Sequence, residues 1–100
     1  MKNPEIIIVD DHLIFRQGLR SLLAIENIGT VIGEASNGIE FIELLSRLRP
    51  DLVLMDISMP HMDGMEATRK ALEMMPELRI IVFTMFGDEE YYHKMIDLGG

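Results

Sequence analysis

The sequence predicts an α/β fold, a parallel sheet covered by helices on both faces. Three observations predict it. Four short apolar runs alternate with helical patterns in the order β-α-β-α-β-α-β-α. The runs at Ile6–Val9 and Leu52–Met55 lack polar alternation, as strands buried on both faces do. The connections are short and are punctuated by Pro50, Gly64, Pro76 and capping residues. A chain of 100 residues supplies one core, so residues 1–100 read as a single domain.

Each element has its own signal. Ile6–Val9, rich in β-branched isoleucine, is the first strand. The segment HLIFRQGLRSLLAIE then places Phe15, Leu19, Leu22 and Leu23 at helical spacing, which predicts one inward stripe. Thr30–Ala35 is a weaker second strand. Asn37 followed by Glu40 has the form of a capped helix start, with Phe41, Ile42, Leu45 and Leu48 on one face. Leu52–Met55 is the third strand. Asp63 and Glu66 repeat the capping pattern, with Met65, Thr68, Leu72 and Met75 as the inward side. Arg79–Thr84 is the fourth strand, and Asp88-Glu89-Glu90 opens a last helix with acids where the helix dipole favours them, before a stop at Gly99.

Composition excludes several functions. The formal net charge of −8 repels phosphate backbones, so direct nucleic-acid binding by this chain is not expected. Without cysteine there are no disulfides, thiolate nucleophiles or cysteine-held metals. No apolar run approaches the ~18 residues of a membrane span. The N-terminus MKNPE has no signal-peptide character, which leads us to expect a cytoplasmic protein. The nine methionines read as adaptable core filler.

The strands end on acids. Asp10 and Asp11 follow the first, Asp56 the third, and Thr84 closes the fourth. Ligands of open parallel sheets sit outside the carboxyl ends of the strands, so three carboxylates and a hydroxyl are expected in one crevice. Taken singly, an acid before a helix is an N-cap and an Asp after a strand is turn chemistry. Their joint placement favours function. Clustered carboxylates repel and need protons or a cation, and a hard, oxygen-seeking ion such as Mg²⁺ suits them best. A carboxylate is also a nucleophile toward phosphorus, and phosphoryl transfer needs mainly positioning and neutralised oxygens.

The segments IIIVDDHLIFRQGLRSLL, DLVLMDISMPHMDG and IIVFT together resemble the receiver domain of bacterial two-component response regulators, over the whole chain. The first of them resembles the subgroup joined to a helix-turn-helix DNA-binding domain. The resemblance implies a flavodoxin-like, doubly wound sheet with strand order 2-1-3-4 in this chain. It implies Asp56 as phospho-acceptor, Asp10, Asp11, Asp56 and the backbone carbonyl of Ser58 around Mg²⁺, and Thr84 as the switch hydroxyl. The phosphodonor would be a sensor histidine kinase, and the chain a switch that assists its own phosphorylation and dephosphorylation, not a turnover enzyme.

Departures from that pattern also carry expectations. The family has a fifth strand ending in a lysine and a fifth helix, and this sequence stops at LGG where that strand would begin. We therefore read a receiver incomplete at its C-terminus. Lys94, inside the last predicted helix, is no substitute for the family lysine. The apolar fourth strand becomes a sheet edge, which raises a homodimer through that edge or by exchanged elements. Met85 and Phe86 are bulky beside the switch threonine, and are read as tuning access to Asp56. His12 reads as a solvated helix-start residue and not a ligand, and His61 and His93 as loop and surface histidines. The competing function is a receiver-like interaction module that is never phosphorylated. A haloacid-dehalogenase-like phosphatase fits less well, because that class needs D-x-D after its first strand.

Overall fold

The structure is a computed structural model that describes residues 3–56 and 64–83. Its elements are β1 (Glu5–Val9), α1 (Leu13–Ile25), β2 (Thr30–Ala35), α2 (Gly38–Leu45), β3 (Leu52–Asp56), α3 (Gly64–Met74) and β4 (Arg79–Phe83). All strand pairs are parallel and the order is β2-β1-β3-β4. The two central strands are therefore the ones that end on acids.

Alternation divides the core between the two faces of the sheet. Ile7, Val9, Val53 and Met55 point to the side where α2 and α3 pack, with Phe41, Leu45, Ala67 and Ala71. Ile6 and Ile8 point to the other side, where Leu23 of α1 covers them, with Leu19, Leu52 and Leu54 around the cluster. β1 is wholly buried from Ile6 to Val9, as a two-sided strand must be.

Helix ends follow local chemistry. The Asn37 side chain accepts the Glu40 N–H at 2.9 Å, as its capping pattern predicts. The return bond lands one residue early, because Glu40 accepts from the Ser36 N–H and hydroxyl. Past the end of α1, Asn27 turns at φ 54°, with Asn27 N–H bonded to Ala24 O and Ile28 N–H to Leu23 O. That paired closure satisfies carbonyls the helix leaves open, and Asn tolerates the left-handed geometry it needs.

Two predicted stripes need correction. On α1, Leu23 is buried and Leu19 partly so, but Phe15 and Leu22 are exposed. Among the described residues α1 is the only helix on its face of the sheet, so one row of its apolar residues reaches the core and the next does not. On α3, Thr68 is buried as expected, and Leu72, with Met75 just past the helix end, packs against the core; these two and Met65 are only partly covered, however, and the innermost residues are Ala67 and Ala71. Small side chains belong where a helix lies closest to its support. The methionines divide likewise: Met55 is core, whereas Met74 is exposed.

Candidate functional site

β1 and β3 run in register, with Ile8 opposite Leu54 and Val9 opposite Met55. One step further, Asp10 and Asp56 lie level on adjacent strands, on the parity that faces α1. Both side chains are completely buried. Asp11 follows as the chain leaves the sheet, and α1 begins at Leu13. Carboxylate oxygens of Asp10, Asp11 and Asp56, with a ring nitrogen of His12, lie within 4.8 Å of one another. The three acids that the sequence places at strand ends are thus brought together. Ser58 and Thr84, and with them His61, Met85, Phe86, His93 and Lys94, lie outside the described residues.

Asp10 is fixed by its surroundings. Its N–H donates to Ala35 O at 3.0 Å, and its Oδ1 accepts the His12 N–H at 2.9 Å. Oδ2 is buried without a hydrogen-bond partner. A buried carboxylate oxygen in that state is costly unless something cationic meets it. The like charges add to the cost: at an effective dielectric of about 20, two unit charges ~4 Å apart repel by about 4 kcal/mol.

His12 has the solvated helix-start position expected of it, and it also meets the acids. It is the N-cap of α1 and half-exposed, at 52%, but its Nδ1 lies 3.0 Å from both Asp10 Oδ1 and Asp11 Oδ1. The turn closed by its own N–H on Asp10 brings the ring back over the acids. The hydrogen bond to Asp10 and then the charge of Asp11 hold the imidazole above its ordinary range.

Two further features were not legible in the motifs. Phe83 lies beside Asp56 in the β3–β4 register, and its ring meets Phe15 at 5.6 Å between centroids. An apolar wall thus flanks the acids. Arg16, one helical turn into α1, donates to the backbone carbonyl of Asp10 and to Glu34. Neither contact has a sequence signal, since Phe15 and Phe83 meet only through the fold and Arg16 and Glu34 belong to different elements.

The arrangement suits a divalent, oxygen-seeking cation. Its donors are hard carboxylate oxygens at the ends of adjoining strands, Asp10 has a buried oxygen still without a partner, and Mg²⁺ characteristically takes one or two carboxylates and retains water. A carboxylate at the end of a central strand is also a competent nucleophile.

Over residues 6–100 the chain matches the family of response regulator receiver domains. It belongs to that family. The receiver is 42% identical over 95 residues to the transcriptional regulatory protein YhcZ of Bacillus subtilis (strain 168), covering 95% of this chain and 44% of that protein. It is 43% identical over 93 residues to the nitrate/nitrite response regulator NarL of Escherichia coli (strain K12), covering 90% of this chain and 43% of that one. The receiver thus spans less than half the length of these relatives. Among solved structures it superposes on a LuxR-family two-component response regulator from Aurantimonas sp. SI85-9A1 with a TM-score of 0.89 at 33% identity, covering 99% of this chain and 71% of the other. The isolated REC domain of RcsB from Salmonella enterica serovar Typhimurium, solved with the phosphomimetic BeF3−, gives 0.85 at 31% identity, covering 98% and 73%. The strand order of this receiver is the one such domains imply.

Proposed function

We propose that this receiver accepts a phosphoryl group on Asp56 from a phosphohistidine of a sensor histidine kinase, and that the charge change switches a downstream transcriptional output. The observation that carries the reading is the joint burial of Asp10 and Asp56, with Asp11 within reach, at the carboxyl ends of the two central strands. Asp10, Asp11, Asp56 and the backbone carbonyl of Ser58 would hold Mg²⁺. The bound ion would neutralise the acids and the phosphoryl oxygens.

The protein's own groups do the rest. An Asp56 carboxylate oxygen attacks phosphorus in line; the new O–P bond forms as the N–P bond of the phosphohistidine breaks, and the imidazole leaves with the electron pair. Phe15 and Phe83 limit water on one flank. Thr84 donates its hydroxyl to a phosphoryl oxygen and draws the following segment toward the site, the two-state element that the new charge biases. The receiver is a switch that acts in the cytoplasm. Among the described residues no helix is long and apolar enough to cross a membrane. A homodimer through the β4 edge is part of this proposal.

Support comes from the two relatives described above, both named as transcriptional or response regulators, and from the REC domain that was solved with a phosphomimetic. The test is beryllofluoride binding followed by ¹⁹F NMR. A bound signal that needs Mg²⁺ and disappears with EDTA is expected. Its absence from a folded sample contradicts phosphorylation and leaves the interaction-module reading.

A further inference from the structure

The geometry points to Arg16 as a positioning residue that sets the Asp10–Asp11 peptide plane, and so aims the acid pair at its cation. This rests on the Mg²⁺ site proposed above. The β1 ladder ends with the bond from Asp10 N–H to Ala35 O. Beyond it, the Asp10 carbonyl accepts no strand N–H among the described residues, although its residue is completely buried. A buried carbonyl needs a donor, and Arg16 Nη1 supplies it. That carbonyl belongs to the peptide unit leading into Asp11, so fixing it fixes the direction in which Asp11 leaves the sheet.

The guanidinium is itself held. Arg16 Nε donates to Glu34 Oε1 at 2.9 Å, and the other Glu34 oxygen accepts from Arg20 Nη1 at 2.8 Å. The Arg16 and Glu34 side chains are only 14% and 21% exposed. Glu34 reaches this face because of an irregularity in β2. The register passes from Ile6–Val31 to Ile7–Gly33, skipping Ile32. A one-residue slip reverses which face later residues occupy, so Glu34 comes level with Ile8 on the α1 side. Without it, Glu34 would point toward Phe41 and Leu45 and could not anchor the arginine.

An arginine is required for this task. Its planar fork makes two bonds in fixed directions, to a carbonyl and a carboxylate, where lysine offers a single point charge. Charge and position also act in opposite senses here. A cation beside the acids opposes Mg²⁺ binding, so if Arg16 acted only through its charge, removing it would tighten the metal.

The experiment is MgCl2 titration by calorimetry on the wild-type chain, Arg16→Lys and Arg16→Met, with thermal melts. Amide spectra of the metal-free proteins are recorded alongside. We expect wild type to bind, and both variants to bind roughly tenfold more weakly, the usual scale for losing a residue that orients ligands. The Asp11 and His12 amide signals of Arg16→Lys should shift in the absence of metal. Unchanged or tighter binding in folded Arg16→Lys, or unmoved Asp11 and His12 signals, overturns the positioning role even if the melting temperature falls. A wild type that binds no Mg²⁺ overturns the metal site itself and the inference with it, a result distinct from an insensitive variant.

Discussion

Asp10 spends its two carboxylate oxygens very differently: Oδ1 accepts from His12 and Oδ2 is buried without a hydrogen-bond partner. An Asn in its place keeps the acceptor and puts an amide donor where the orphaned oxygen stands, within reach of neighbouring acids. We predict that Asp10→Asn stabilises the metal-free chain by about 1.5–3 kcal/mol, the scale of a hydrogen bond to a charged group. It should also weaken Mg²⁺ binding. Urea denaturation with and without MgCl2 checks both effects, and a less stable metal-free variant would contradict the account. Glu40 offers a pH test. Hydrogen bonds from the Ser36 N–H, then the Ser36 hydroxyl, hold its carboxyl below the ordinary value of 4.5. Its contribution is fully present above that pH and is lost as pH falls through the depressed value. Glu40→Gln should therefore flatten the stability curve on the acid side only. At this scale the acids were legible because strand ends collect ligands. The contacts of His12 and Arg16 were not, because they depend on where side chains turn after the strand ends.

Elements read best where capping and periodicity agreed. α2 combined an Asn37–Glu40 start with the stripe of Phe41, Ile42 and Leu45, and the structure buries Phe41 and Leu45 completely. Asn37→Ala should cost about 1 kcal/mol through the lost cap. Phe41→Ala should cost about 3–5 kcal/mol through the cavity it leaves. Chemical denaturation measures both, and a loss from Phe41→Ala no greater than that from Asn37→Ala would mean the core is not centred there. α1 and α3 read less well for physical reasons. Spacing identifies an apolar helical face but not how much of it a neighbour covers, hence exposed Phe15 and Leu22. Hydrophobicity favours the long Met65 and Leu72, whereas close approach selected Ala67 and Ala71.

For the molecule as a whole, alternation of strand and helix sufficed to predict a parallel sheet, while the strand order came from family resemblance. Apolar runs do not say which strand pairs with which. Among the described residues β4 has a neighbour only on its β3 side, and Ile81 on it is exposed. An apolar edge of that kind favours self-association. Light scattering should show a mass that rises toward a dimer with concentration, and Ile81→Lys should suppress the rise. A monomer at every concentration would remove the homodimer from the account.

The proposed switch depends on Asp56 accepting a phosphoryl group in a pocket of acids. The decisive measurement is intact mass after incubation with acetyl phosphate and Mg²⁺, comparing the wild-type chain with Asp56→Asn. One phosphoryl adduct is expected on the wild type, lost with EDTA and absent from the variant. No adduct on folded wild type, or an equal adduct on Asp56→Asn, would contradict phosphoryl transfer to Asp56.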